Sequence, residues 1–254
     1  MNRPLTLRLF ALATAFFAPW AHADGLSDLR ASLARLQAQT PLKATLDVKI
    51  TLRQGDGADA TEKQGQASVA LEDGSRGLQV LYAKDTLVRM DAESRQLARD
   101  PKARTPTVMA LAKIDSGEIV PMTSATGSLL RGLEENVFKA EKADSWNGKP
   151  ARLLTFSVPI DKLPPDQRKY VKQFESTVSI WIGADGTPLA SETHTSVKGR
   201  AFVVVSFEAI DDRSNTYAVV GDRLLTLRSE THSSSSGAGE HGEERVLKTL
   251  SPQG

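Results

Sequence analysis

Cysteine is absent from the 254-residue sequence, and aromatic residues make up only 6% of it. Without a thiol the chain can form no disulfide, so burial of apolar side chains has to stabilise the fold. The processed chain also cannot carry the cysteine-linked lipid of a bacterial lipoprotein. After residue 23 there is no apolar run of the roughly 20 residues that a membrane-spanning helix needs. These absences predict a soluble globular protein.

The first 23 residues have the three parts of a secretory signal peptide. Arg3 and Arg8 supply the positive charge, residues 9–20 form a short apolar run, and the small residues Ala21 and Ala23 flank the expected cleavage site. We therefore predict cleavage after Ala23. The product would be a periplasmic protein without a lipid anchor.

Removal of this segment takes two of the 32 basic residues away and none of the 31 acidic ones, which leaves a net charge of about −1. Such a balance does not favour nucleic acid as a partner. The remaining residues, 24–254, are within the size range of a single domain that is rich in strands.

A helix and three strands are predicted at the start of the domain. Leucines recur at helical spacing over residues 26–39. Residues 46–52 then alternate between apolar and polar side chains, as expected for a half-buried strand. Two more strands are predicted on either side of the turn at Asp73 and Gly74, after a polar insert at residues 54–63. Residues 84–135 are predicted to form helices and loops.

Strands return in the second half, beginning with a hairpin at Asn147 and Gly148. A short helix is expected over residues 165–174, and nearly all later segments have strand character except residues 232–242, which we interpret as a flexible surface loop. The count is about eleven antiparallel strands. The expected fold class is α+β, a strongly curved antiparallel sheet forming a half-open barrel, with helices covering its concave face.

No motif for catalysis, phosphate binding or dinucleotide binding occurs in the sequence. Glu192 and His194 share a predicted strand face, but two ligands do not complete a metal site. A serine, His194 and an aspartate could still converge into a triad, because triads depend on geometry and not on chain order. We expect no enzyme activity, no cofactor and no metal.

A concave sheet under helices could enclose a ligand cavity. Its predicted apolar lining consists of Leu46, Val48, Ile50, Leu52, Val69, Leu71, Leu78 and Val80. The alternative is that these side chains pack against Leu29, Leu33 and Leu36 as ordinary core.

The order of these elements resembles the superfamily of periplasmic lipoprotein carriers and receptors of the LolA and LolB type, whose fold also occurs in RseB and MucB sensor domains. Two local patterns carry the resemblance: a Trp-x-x-x-x-Gly-x-Pro turn at residues 181–188 and a Trp-Asn-Gly-Lys-Pro-Ala hairpin at residues 146–151. Extra length, the insert at residues 54–63 and the segment at residues 232–242 are departures from a true carrier.

The resemblance implies a non-enzymatic binding protein that shelters an acyl chain or another apolar ligand, as a lipid or lipoprotein carrier does. The alternative is a protein-interaction or sensory module on the same fold, with its cavity filled by its own side chains. The expected partners are a lipid or lipoprotein acyl chain and an envelope protein, with transient contact to a membrane surface. We expect a monomer.

Overall fold

The computed structural model describes residues 24–201 and 205–253, so the predicted signal peptide lies outside the described residues. The helices are α1 (Gly25–Arg35), α2 (Lys84–Arg99), α3 (Pro106–Leu111), α4 (Ser116–Thr123), α5 (Thr126–Glu135) and α6 (Pro165–Arg168). The strands are β1 (Leu42–Gln54), β2 (Thr61–Gly74), β3 (Gly77–Leu81), β4 (Val137–Trp146), β5 (Lys149–Ser157), β6 (Val171–Ile182), β7 (Pro188–Ala201), β8 (Val205–Val220), β9 (Arg223–Gly237) and β10 (Glu240–Pro252).

All ten strands belong to one antiparallel sheet in the order β3-β2-β1-β10-β9-β8-β7-β6-β5-β4. Neighbours in the sheet are also neighbours in the chain, except that the last strand returns to pair with the first, from Ala44 opposite Pro252 to Gln54 opposite Gly242. The sheet stays open, with β3 and β4 at its edges. It forms the half-open barrel expected from the sequence.

Two segments differ from the sequence-based expectation. The strands predicted at residues 201–210 and 216–220 are not separate, because residues 205–220 form the single long strand β8. Residue 201 is the end of β7, and residues 202–204 lie outside the described residues. The described sheet therefore has ten strands instead of the expected eleven. The prediction of a flexible loop at residues 232–242 is wrong, because this segment is the hairpin of β9 and β10. Its turn lies at Ala238 and Gly239, which both have positive φ angles.

Two predicted helices are shorter than expected. Helix α1 ends at Arg35 instead of residue 39, and its first turn is capped by the Asp24 carboxylate, which accepts a hydrogen bond from the Leu26 amide at 3.1 Å. Helix α6 ends at Arg168, and Phe174 already lies in β6. The predicted hairpin of β4 and β5 is present, with the positive φ angles of 50° at Asn147 and 74° at Gly148 that this tight turn requires.

Helices on the concave face separate the core into two clusters of buried apolar side chains. In the first, side chains of β1 and β2 pack against Ala110 of α3 and against Ile119 and Met122 of α4. In the second, Leu29 and Leu33 of α1 pack on β5, β6 and β9. Helices α3 and α4 therefore cover one part of the curved sheet, and α1 covers another.

Close approach of helices to the sheet depends on glycine at two positions. A β-carbon on Gly65 of β2 would collide with the backbone of Pro106, so α3 could not pack as it does. A β-carbon on Gly186 would collide with Asp28 of α1. Gly186 also has a positive φ of 80°, so glycine is required here both for the turn before β7 and for the close packing of α1.

The tryptophans of the two sequence patterns meet on the sheet. The rings of Trp146 and Trp181 are in contact at a tilt of 41°, with centroids 5.1 Å apart, and the Trp181 indole donates a hydrogen bond to Asp144 at 3.2 Å. This contact joins the end of β4 to the end of β6. Within residues 24–201 and 205–253, no helix combines the length and apolar character needed to cross a membrane.

Candidate functional site

The predicted lining residues lie together on β1, β2 and β3, beneath α3 and α4. Five of the eight are almost completely buried in the first core cluster, and the other three pack against it half-buried. The buried five are Leu46, Val48, Ile50, Val69 and Leu71, and the half-buried three are Leu52, Leu78 and Val80. That these side chains line a ligand cavity stays a prediction. In the structure their contacts are mainly those of a packed core, but Leu52 also borders a cavity of about 440 Å³ and Val48 one of about 790 Å³.

A cavity of about 250 Å³ lies elsewhere, between the helices α4 and α5 and the concave side of β5 to β9. One wall is apolar. It is formed by Met122, Leu129, Leu133, Phe156, Val178 and Ile180. None of the eight predicted lining residues borders this cavity. Helix α5 provides Leu129 and Leu133 and thereby forms part of the cover.

Beside the apolar residues of β6, the lining on β7 and β8 is polar and hydrogen-bonded. The hydroxyls of Ser191 and Tyr217 lie 2.7 Å apart, and the Asn215 amide donates to the Ser191 hydroxyl at 3.3 Å. Burial raises the pKa of the Tyr217 phenol, which therefore stays protonated at neutral pH. These groups offer a neutral hydrogen-bonding surface beside the apolar one.

An ion pair between a buried lysine and a partly exposed glutamate attaches α4 to the sheet. The Lys248 ammonium of β10 donates to the Glu118 carboxylate of α4 at 2.7 Å, and the Lys248 side chain is only 6% exposed. Arg213 of β8 lies on the other Glu118 oxygen at 3.4 Å. Burial alone would raise the pKa of Glu118, but the hydrogen bond from Lys248 and the charges of Arg213 and Lys248 outweigh it and hold the pKa below its ordinary value.

Two further hydrogen bonds reinforce this attachment. The Thr226 hydroxyl of β9 donates to the carbonyl of Pro121 in α4 at 2.9 Å. The Ala125 amide, between α4 and α5, donates to the Leu224 carbonyl at 2.8 Å. Helix α4 and the junction between α4 and α5 are thus hydrogen-bonded to β9.

The polar wall continues along the sheet into a second cavity of about 440 Å³. Thr195, Asp211, Ser233 and Glu244 lie opposite one another in a single row across β7, β8, β9 and β10. Ser233 donates to Asp211 at 2.6 Å, and Glu244 pairs with Lys113 at 2.8 Å. We call the polar concave surface of β7 to β10 around these four residues the polar trough.

The histidines lie outside these cavities or pair with carboxylates at their margins. Nδ1 of His194 lies 2.6 Å from Asp212, with both side chains about half exposed. Nε2 of His232 lies 2.8 Å from Glu243. Across the described ranges, no group of three or more His, Asp or Glu side chains is placed to hold a metal ion.

Sequence reasoning missed the polar trough for a physical reason. Strand prediction relied on apolar residues at every second position, whereas β7 and β8 present Ser191, Thr193 and Thr195 and then Asp211 and Arg213 to the concave face. Both faces of these strands are polar here. Only the pairing of each strand with two neighbours identifies which polar side chains face the cavities.

No family model matches the chain, and no curated protein matches it. Among solved structures, the chain is similar to MucB in its complex with MucA(peri), with 12% sequence identity over 89% of this chain and 93% of that chain and a TM-score of 0.26. This likeness is too weak to assign a family. The superfamily resemblance inferred from the sequence therefore stays a prediction.

Proposed function

We propose that the protein is a non-catalytic binding protein of the periplasm that shelters the apolar part of a small amphiphile beneath α4 and α5. One observation carries the proposal: apolar side chains from both the helices and the sheet line the cavity, and a hydrogen-bonded polar group lies beside them. A cavity with many apolar groups and a few convergent polar ones is the usual form of a ligand site. The signal peptide predicted from residues 1–23 supports the compartment.

The size of the cavity limits the ligand. Pockets for drug-sized molecules enclose about 300–1,000 Å³, and this cavity encloses about 250 Å³. One acyl chain, or a part of one, is a better match than several chains. Sheltering about eight methylenes would contribute roughly 6 kcal/mol before ordering costs.

An acyl chain against the eight predicted lining residues would need a different arrangement of the helices. Ala110, Ile119 and Met122 belong to the same packed core cluster as Val48 and Ile50. Ligand entry there would require α3 and α4 to leave the sheet. The cavity under α5 needs no such displacement, so we place the acyl site there.

Titration with a fluorescent fatty acid tests this function. Leu129→Trp should fill the cavity and weaken binding at least tenfold, because Leu129 borders it from α5. Glu134→Trp is the matched control on the same helix, where Glu134 is exposed and does not border the cavity. Equal affinities of both variants and the unaltered protein would place any binding elsewhere.

A protein-interaction module is the second candidate. The observation in its favour is the edge strand β4, whose residues from Val137 to Ser145 are all exposed. An uncovered edge can pair with an extended segment of an envelope protein. A native mass spectrum without any retained amphiphile, together with no fatty-acid binding, would favour this candidate over the first.

A further inference from the structure

Most charged side chains around the polar trough lie in ion pairs. Lys248 pairs with Glu118 at 2.7 Å, and Lys113 pairs with Glu244 at 2.8 Å. Arg213 lies at the longer distance of 3.4 Å from the other oxygen of Glu118. Among the described residues, Asp211 has no cationic partner within ion-pair distance and accepts its hydrogen bond from the neutral Ser233. The single Glu118 carboxylate thus faces two cations, so the positive charge of Arg213 and the negative charge of Asp211 are available to a ligand.

These two side chains project from the same face of one strand. Arg213 and Asp211 are alternate residues of β8, so their Cα atoms are about 7 Å apart and their side chains point to the same side of the sheet. Arg213 borders the smaller cavity, which has the apolar wall, and Asp211 borders the larger cavity in the trough. A ligand reaching from one cavity to the other therefore meets the cation first and the anion second.

From this arrangement we propose that the ligand is a single-chain amphiphile with a zwitterionic phosphoethanolamine head. Its acyl chain lies beneath α5, its phosphate accepts hydrogen bonds from Arg213, and its terminal ammonium binds Asp211. Guanidinium and phosphate form strong charge-assisted hydrogen bonds, and the hydroxyls of Thr195 and Ser233 beside Asp211 provide further polar contacts. This inference rests on the proposed function and specifies its ligand class.

Calorimetric titration with two lysophospholipids of equal chain length tests the head group. Lysophosphatidylethanolamine should bind at least tenfold more tightly than lysophosphatidylglycerol, which has no ammonium. Asp211→Asn should abolish this preference by weakening only the first ligand. Arg213→Gln should weaken both ligands by a similar factor and leave their ratio unchanged.

The matched control is Asp212→Asn. Asp212 is the next residue of the same strand, but its side chain lies on the opposite face against His194. It should leave both affinities unchanged. Free phosphoethanolamine serves as the chain-free probe and should bind at least a hundredfold more weakly than the lysolipid, because the apolar wall contributes nothing to it.

The outcomes separate this inference from the proposed function. If neither lysolipid nor fatty acid binds, the amphiphile site itself is refuted. If both lysolipids bind equally well, or if Asp211→Asn keeps the preference, the head-group assignment is refuted while the acyl site stands. If free phosphoethanolamine binds as tightly as the lysolipid, the acyl chain plays no part and the proposed ligand class is wrong.

Discussion

Lys248 and Glu118 form one ion pair, but removing Glu118 should destabilise the protein more than removing Lys248. Glu118→Gln leaves a lysine that is only 6% exposed without its closest counter-charge. Breaking a fully buried pair costs about 3–5 kcal/mol. Because the Glu118 side chain is 33% exposed and water can reach the site, we expect a smaller loss of about 2–3 kcal/mol in the free energy of unfolding.

Lys248→Met should cost less than about 1 kcal/mol. The remaining Glu118 carboxylate keeps Arg213 as a partner and has access to water, while methionine packs among Val48 and Val246, which lie opposite and two residues away. The double variant should then recover most of the stability that Glu118→Gln loses. Urea denaturation of the four proteins gives the double-mutant cycle.

The pH dependence follows from the same pair. The pKa of Glu118 is lowered in the folded protein, so its contribution to stability is present above the ordinary value of 4.5 and is lost as the pH falls through the lower folded pKa. The unaltered protein should therefore lose stability more steeply than Glu118→Gln below pH 4.5. Equal losses for Glu118→Gln and Lys248→Met at pH 7 would refute this account of the pair.

Three further predictions address the register, the processing and one turn. Ile50→Asp should lower the free energy of unfolding by several kcal/mol because Ile50 is buried, whereas Lys49→Asp should be nearly neutral because Lys49 is exposed; equal urea midpoints would contradict the register of β1. Amino-terminal sequencing of the exported protein should begin at Asp24, and an intact first residue would contradict the predicted cleavage. Asp222 accepts hydrogen bonds from Thr40, which lower its pKa to about 2, so its NMR titration should have its midpoint there, and a midpoint near 3.8 would show that the turn is open in solution.

Local patterns in the sequence predicted the elements whose apolar and polar residues alternate clearly. In β1 every second residue is apolar, and the strand formed with that face buried because only this register removes Leu46, Val48 and Ile50 from water. The hairpin at Asn147 and Gly148 was equally predictable, since few other residue pairs adopt two successive positive φ angles. From such elements the curved antiparallel sheet with helices on one face could be inferred.

The tertiary structure alone decided which residues surround the cavities. Strands β1 and β10 pair although they are the first and last strands of the chain. This pairing brings Lys248 to Glu118, which is 130 residues earlier. Strands β8 and β9 have too few apolar residues around Asp211 and Ser233 to show an alternation of apolar and polar side chains. Their pairing with neighbouring strands therefore determines which of their side chains face the cavities. The packed state of the predicted lining was also invisible in the sequence, because an apolar strand face looks the same whether helices or a ligand cover it.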